Sequence, residues 1–368
     1  MIYHGDAMKY ILETPKVLRE IWRNRETIFR DSIRILEENT DTIYLTGAGS
    51  SYHAAVAAVD FLRELLYREV YALLPEELEN MPEILPPSSA CIGISQQGTS
   101  KSVIRALDMV KQRGSRTIAM TGEYRTEITR HADAVSYIVC GIEDAGATTK
   151  GFTATALSLM VLGIRYAFVR GYLKGDSLRD LDQRLRTCID LMDTIPEQME
   201  RFYHEKRDVF KNSRDLFIIS DYRSRAIMLE CELKFSETCR FPARGRIAES
   251  FMHGLYNKGC QEGIPRSHRV HHMVDQGRRP YVELLAVIHD AAPGASRQGC
   301  DFRSQGVNKL QMLSRRLVVP VKGAECESLD ILDNFTFLIL WNRHKKRRKK
   351  SPDYMAFFVM HPNFYLLI

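Results

Sequence analysis

The stretch DTIYLTGAGSSYHAAVAAVDFLREL, which begins at Asp41, sets the strongest limit on what this chain can fold into. An apolar run, a Gly/Ser turn and a helical pattern with small residues on its inner side make one strand–turn–helix unit. SACIGIS (89–95), RTIAMTG (116–122) and AVSYIVC (134–140) follow as further short apolar runs, separated by helical patterns or turns. Strands that alternate with helices predict a mostly parallel sheet covered on both faces, hence an α/β fold. TATALSLMVLGIRYAFVR reads as a long, mostly buried helix, and a polar helical stretch from about 176 to 205 reads as a connector.

A second unit starts at DLFIISD (215–221), again a strand, followed by a helix from Arg223 to Glu237. RPYVELLAVIHD and RRLVVPV read as later strands and LDILDNFTFLILW as a helix, so the two halves follow one α/β plan. The first forty residues read as a helical lead-in, with Thr14 as N-cap and Pro15 at the first helical position. The end, SPDYMAFFVMHPNFYLLI, matches no pattern.

Composition narrows the class. No run of about 18 uninterrupted apolar residues is present, which argues against a membrane span. MIYHGDAMKY lacks the basic and apolar regions of a secretory signal. The eight cysteines show no CxxC pairing and several lie in apolar runs, so free thiols in a reducing cytoplasm are expected. The formal charge of +6 is carried by KKRRKK at Lys345 to Lys350; without it the chain is neutral. A single local run of this kind reads as a solvated loop, and no nucleic-acid partner is expected.

Three hydroxyl-rich segments sit where ligands of α/β proteins bind. GAGSS (47–51) follows a strand and opens a helix, so its backbone N–H groups and the helix dipole suit an anion. It is not a GxGxxG fingerprint, since position 52 is Tyr; Ser50 and Ser51 suit a single phosphate or sugar hydroxyl. SQQGTSKS (95–102) repeats the arrangement with Ser95, Gln96, Gln97, Thr99 and Ser100 around Gly98. AGATTKGFT (145–153) precedes the long helix, and its Thr148 and Thr149 can also serve simply as caps. Together the three favour a small phosphorylated ligand at the carboxyl edge of the sheet.

In ECELKFSE, Glu230, Lys234 and Glu237 recur at i, i+4 and i+7, one face of a helix. The face is either a solvated salt-bridge stripe or a catalytic surface to which His253 is delivered by the following loop. Proton transfer next to a carbonyl needs a positioned carboxylate. A neighbouring ammonium stabilises enolate-like charge, and a histidine exchanges protons with sugar oxygens. His268, His271 and His272 crowd together, but without an acid or cysteine at ligand spacing no metal is expected. His53 reads as packing or a rim contact, and Glu143 and Asp144 as possible contacts to sugar hydroxyls.

GAGSSYHAA, SQQGTSKS and AGATTKGFT, in that order, resemble the three signature segments of the sugar isomerase (SIS) domain family. The resemblance is to the isomerase half of glucosamine-6-phosphate synthase and to the fructosamine-6-phosphate deglycases. It implies two SIS-type three-layer αβα sandwich domains with parallel sheets. The implied division is a lead-in over 1–40, a first domain over 41–200, a second over 205–350 and a tail over 351–368. It also implies ligand contacts from Gly49, Ser50, Ser51, Ser95, Gln96, Gln97, Gly98, Ser100, Thr148 and Glu230. Gln97 stands where the family has a serine, which changes the pocket's shape.

ECELKFSE, followed by a His-Gly pair sixteen residues after Glu237, is similar to the family's second signature. The resemblance implies that Glu237 moves the proton between C1 and C2 of an open-chain sugar, His253 assists ring opening and Lys234 supports both. Leu255 replaces the family's proline. It further implies a homodimer with a shared active site, a sugar phosphate or amino-sugar phosphate as ligand, and no cofactor. The chain begins without the synthase's N-terminal cysteine domain and has no lysine after Lys350, so amination by the synthase route is disfavoured. The expected function is phosphosugar isomerase or fructosamine-6-phosphate deglycase. The alternatives are a non-catalytic sugar-phosphate regulator and an aminating isomerase.

Overall fold

The computed structural model describes residues 7–38, 40–81, 88–212, 216–240, 242–251, 253, 284–288, 337–342, 354–359 and 366–367. The chain opens with helices α1 (Ala7–Arg23), α2 (Arg25–Ile28) and α3 (Arg30–Glu37). It continues through β1 (Thr42–Gly47), α4 (Ser50–Leu66), β2 (Glu69–Leu73), α5 (Pro75–Glu79), β3 (Ser89–Ile94), α6 (Lys101–Gln112), β4 (Arg116–Thr121), β5 (Ala134–Tyr137) and α7 (Lys150–Val169). The five strands form one all-parallel sheet in the order β2-β1-β3-β4-β5.

β1, β3 and β4 are buried along almost their whole length, the signature of a sheet covered on both faces, with successive side chains entering opposite cores. Ile43, Leu45, Ile92, Ile94, Ile118 and Met120 face a core shared with α1, α3, α4 and α7. Tyr44, Cys91 and Ala119 face the opposite side and pack on Val103, Leu107 and Val110 of α6. α7 is buried on nearly every side. Among the described residues it is the helix long and apolar enough to cross a membrane, yet 78% of its apolar window is covered by the rest of the fold. Small residues make the fit possible: a methyl group on Gly163 would lie 2.3 Å from the Leu62 side chain of α4.

Thr14 does not cap a helix. α1 starts at Ala7 and runs through Pro15, and the Thr14 hydroxyl donates to the Tyr10 carbonyl at 2.9 Å. Proline inside a helix costs about 3 kcal/mol. Burial of Ile11, Val17, Leu18 and Ile21 along the same face offsets that cost, at about 1.5–3 kcal/mol for each fully buried aliphatic side chain.

α8 (Gly175–Leu191) and α9 (Ile195–Asn212) form the polar connector, and β6 (Leu216–Ser220) opens the second unit as expected. α10 (Arg225–Lys234) follows β6 and then passes into one turn of π-helix, Phe235–Cys239, where an uninterrupted α-helix to Glu237 was expected. The turn ends at Arg240, which adopts a left-handed φ of 56°. β7 (Ala243–Ile247) pairs with β6 in parallel.

β8 (Leu284–Ile288) runs antiparallel to β6, so the second sheet, β11-β8-β6-β7 with β11 at Leu366–Leu367, is mixed where the sequence suggested a parallel one. Residues 337–342, read from sequence as part of a helix, form β9, which pairs antiparallel with β10 (Tyr354–Val359) from the tail that matched no pattern. FLILWN is short and rich in aromatic and β-branched residues, and periodicity alone does not separate such a run from a buried helix. RRLVVPV lies outside the described residues.

Candidate functional site

Between β1 and β3 the strand order reverses: the chain leaves β1 for β2 on one side and returns to β3 on the other. Such a switch point opens a crevice at the carboxyl ends of the strands, where α/β ligands bind. Gly47 pairs with Ile94, so the turns 48–49 and 95–100 leave the sheet side by side. Gly49 takes φ 54° and delivers Ser50 to the first turn of α4.

α10 lies antiparallel across α4. Arg225 Nη1 meets Asp60 Oδ2 at 2.7 Å at one end, with its guanidinium 4.0 Å from the Tyr222 ring. At the other end Glu230, fully buried, reaches the first turn of α4. Its Oε1 accepts the Ser50 hydroxyl at 2.8 Å, and Oε2 lies 2.6 Å from His53 Nδ1. With Glu230 ionised as a carboxylate, the proton of that bond sits on Nδ1. Lys234 Nζ lies 3.4 Å from Glu230 Oε1 and donates to Glu237 Oε2 at 2.7 Å. His53, Glu230, Lys234 and Glu237 thus form a continuous polar chain from a buried helix face to the half-buried Glu237.

The burial excludes a solvated salt-bridge stripe on this helix face. A solvated stripe would be exposed, whereas Glu230 and Lys234 are 0% and 1% exposed. Charges enter such an environment only when paired and hydrogen-bonded. Of the three charged groups, only Glu237 has solvent access. His53 was taken as packing or a rim contact; it is instead bound to the buried carboxylate. Its signal in the sequence is the spacing Ser50–His53, i and i+3 on the first turn of α4.

The second turn is held tightly. Ser95 Oγ accepts the Ser100 N–H at 3.4 Å, Gly98 N–H donates to Ser95 O at 3.0 Å, and Ser100 Oγ lies 3.3 Å from Ser102 Oγ. Gly98 has φ 68°, and a methyl group there would meet Thr126 Oγ1 at 2.0 Å. Only glycine fits both demands. Gln97 and Thr99 are exposed, and Ser51 and Thr148 are half-buried. Among the described residues these four make no side-chain hydrogen bond, so their donors are open to a ligand.

Glu143 does not reach outward to a sugar. Its Oε2 accepts the Thr149 N–H, the Thr149 hydroxyl and the Lys150 N–H at 2.9, 2.7 and 3.1 Å. Its Oε1 accepts the Gly151 N–H at 2.6 Å and Gln96 Nε2 at 2.9 Å. The carboxylate fills the anion-seeking N-terminus of α7 and ties it to the second turn through Gln96. Gln96 is therefore a brace with its amide engaged. Gly151 is required here, because a methyl group would lie 2.1 Å from Gln96 Oε1.

His253 is exposed and its Nε2 lies 2.8 Å from Glu249 Oε1. Among the described residues no hydrogen bond joins it to Glu237, Lys234 or Glu230. The His268–His272 cluster lies outside the described residues. Cys91, Cys140 and Cys231 are buried free thiols.

A five-stranded parallel sheet with hydroxyl-rich turns at its switch point defines an α/β-sandwich protein. Residues 36–165 match the model of the SIS domain family. A glutamine–fructose-6-phosphate aminotransferase [isomerizing] of Clostridium tetani is 28% identical over 266 residues, covering 68% of this chain and 42% of that protein. The match thus spans about two-fifths of that relative. A crystal structure of a provisionally assigned phosphosugar isomerase from Clostridium difficile 630 superposes with a TM-score of 0.66 at 28% identity, covering 70% of this chain and 73% of the other. A provisionally assigned sugar binding protein from Salmonella typhimurium LT2 gives 0.60 at 28%, covering 68% and 76%.

Proposed function

We propose that this protein is a phosphosugar-processing enzyme that removes a proton beside the carbonyl of an open-chain sugar 6-phosphate. The observation that carries the reading is the Glu230–Lys234–Glu237 array, buried at one end and open at Glu237, beside the phosphate-type turns of a SIS domain. Its similarity to an aminotransferase acting on fructose 6-phosphate and to a provisionally assigned phosphosugar isomerase supports the same class.

In this reading Ser51, Gln97, Thr99 and Thr148 offer donors to the phosphate and sugar, and Glu237 is the base. Lys234, fixed between two carboxylates, stabilises the enolate oxygen. His253 exchanges protons with the sugar oxygens during ring opening. Its outward position suits a homodimer in which it serves the neighbouring subunit's site. The second half, 205–350, supplies the second SIS-type unit.

The preferred reaction is deglycation. Glu237 takes the C1 proton of a fructosamine 6-phosphate and the electron pair moves onto the C2 carbonyl oxygen; return of the proton to C2, with the amine N–H proton passing to the C2 oxygen, leaves an imine at C1. Water hydrolyses the imine to glucose 6-phosphate and the free amine. Aldose–ketose isomerisation uses the same first step without amine loss.

Incubation with a panel of hexose 6-phosphates and fructosamine 6-phosphates, read by mass spectrometry, tests the proposal. Release of glucose 6-phosphate plus amine supports deglycation, and Glu237→Gln abolishes turnover while sugar-phosphate binding persists. Binding without any product supports the second reading, a non-catalytic sugar-phosphate sensor, which the likeness to a sugar binding protein favours.

A further inference from the structure

The buried polar chain where α10 crosses α4 has two ends that reach solvent. One is the Glu237 carboxylate, whose side chain is 33% exposed. The other is the imidazole of His53, 12% exposed, on the first turn of α4. Glu230 and Lys234, between them, are closed off. The Glu237 end has a proposed role as base, whereas the His53 end has none.

The two ring nitrogens of His53 stand in different surroundings. Nδ1 lies 2.6 Å from Glu230 Oε2, which fixes the ring. Nε2 makes no hydrogen bond among the described residues and is not closed off from solvent. The Tyr52 ring is 5.9 Å away and tilted by 60°, so it does not stack over the imidazole. With Nδ1 committed to a carboxylate, Nε2 is the atom that gains and loses a proton.

The chain is only three contacts long: 2.6 Å from His53 to Glu230, 3.4 Å from Glu230 to Lys234 and 2.7 Å from Lys234 to Glu237. A methyl group on Gly49 would lie 3.8 Å from Leu233 Cδ2, so α10 closes against the same turn that delivers Ser50 and Ser51 to α4. The two open ends therefore serve one site.

Moving a carbonyl from C2 to C1 of a sugar shifts two protons. The carbon-bound one passes from C1 to C2, the work of Glu237 in the proposed activity. The second leaves the heteroatom on C1, an amine nitrogen in deglycation or a hydroxyl oxygen in isomerisation, and arrives on the C2 oxygen. Lys234 is 1% exposed and engaged by both carboxylates, and His253 of the same chain is paired with Glu249. We propose that His53 carries the second proton. Nε2 takes it from the C1 heteroatom as that atom's double bond to C1 forms and gives it to the C2 oxygen, so the imidazole ends as it began. This assignment rests on the proposed proton-transfer activity and adds a catalytic residue to it.

Asparagine separates this role from mere support of Glu230. His53→Asn keeps an N–H donor where Nδ1 stands but has no group that exchanges protons near neutral pH, and His53→Gln is a second variant of similar size. Steady-state kinetics are measured on whichever fructosamine 6-phosphate or hexose 6-phosphate the native protein turns over, with thermal melts to verify folding. The expected result is a fall in kcat of about a hundredfold or more with KM little changed, since a general acid–base group contributes about 10²–10⁴-fold. In D2O, His53→Asn still exchanges the C1 hydrogen of recovered substrate, because Glu237 is intact. Near-native kcat in folded His53→Asn, or loss of C1 exchange in step with loss of product, overturns the role of His53 and leaves the proposed activity standing. Native protein that neither turns over nor exchanges any of these substrates defeats the activity, and this assignment with it.

Discussion

Replacing Lys234 with Met probes the polar chain at its least accessible link. Lys234 is 1% exposed and supplies the cation for Glu230, which has no exposed surface. The methionine fills similar volume but leaves the Glu230 carboxylate with only the Ser50 hydroxyl at 2.8 Å and His53 Nδ1 at 2.6 Å. Breaking one side of a buried pair costs about 3–5 kcal/mol, because the remaining charge has lost its compensation. An exposed pair of the same spacing, Lys9–Glu13 with side chains 67% and 36% exposed, is worth about 0–1 kcal/mol. At about 2–4 °C per kcal/mol, Lys234→Met therefore lowers Tm by roughly 6–20 °C, and Lys9→Met by a few degrees at most. Urea unfolding and scanning calorimetry read both. The double variant Glu230→Gln/Lys234→Met removes both charges, keeps an acceptor for Ser50 and His53, and recovers at least half of the loss. A loss below about 1 kcal/mol in Lys234→Met, or no recovery in the double variant, refutes the compensation argument.

Two further outcomes follow from buried titrating groups. Burial pushes the Cys91 and Cys140 thiols up to about 12 and that of Cys231 well above its ordinary value. Native protein at pH 8 therefore leaves all three unmodified by iodoacetamide while half-buried Cys188 and Cys239 react first; peptide mapping that finds native Cys231 alkylated contradicts this. Burial pushes the Asp133 carboxyl upward, but Lys111 at 2.7 Å and the N–H and hydroxyl of Thr117 outweigh it and hold the carboxyl below its ordinary value. Its stabilising contribution is complete above the unfolded pKa of about 3.9 and is lost as pH falls through the lower folded value. The stability advantage of the native chain over Asp133→Asn, measured by urea unfolding from pH 7 to pH 2, is constant above about pH 5 and shrinks below pH 4. An advantage that grows on acidification disproves the assignment.

The first unit was legible because its strands and helices repeat without interruption from Asp41 onward. In β3, Ala90, Ile92 and Ile94 meet one core and Cys91 the other, so a strand covered on both faces reads as an unbroken apolar run. Gly49 and Gly98 were legible as turns because their positive φ values admit few other residues. The pairing of Ser50 and His53 with Glu230 spans about 180 positions, and no local spacing encodes which helix will cross α4. Glu143 was misjudged because a carboxylate ahead of a helix serves equally as ligand contact or cap; the backbone path from 143 to 151 decides. Thr14–Pro15 carried a genuine start signal that tertiary burial overrode. The π-turn at 235–239 left no mark in the charge spacing, since Lys234 and Glu237 meet whether the helix is α or π there.

The all-round burial of α7 has a consequence for synthesis on the ribosome. A helix with a mean hydropathy of 1.6 over eighteen residues has no polar side to leave in water, and it would tempt chaperones and membrane-insertion machinery as it emerges. The helices that cover most of it, α1, α3 and α4, precede it in the chain. Because domains form from the N-terminus as translation proceeds, the receiving surface has already left the exit tunnel when Lys150 appears. Moving α7 ahead of α4 by circular permutation would keep every contact of the finished fold and expose the helix in the nascent chain.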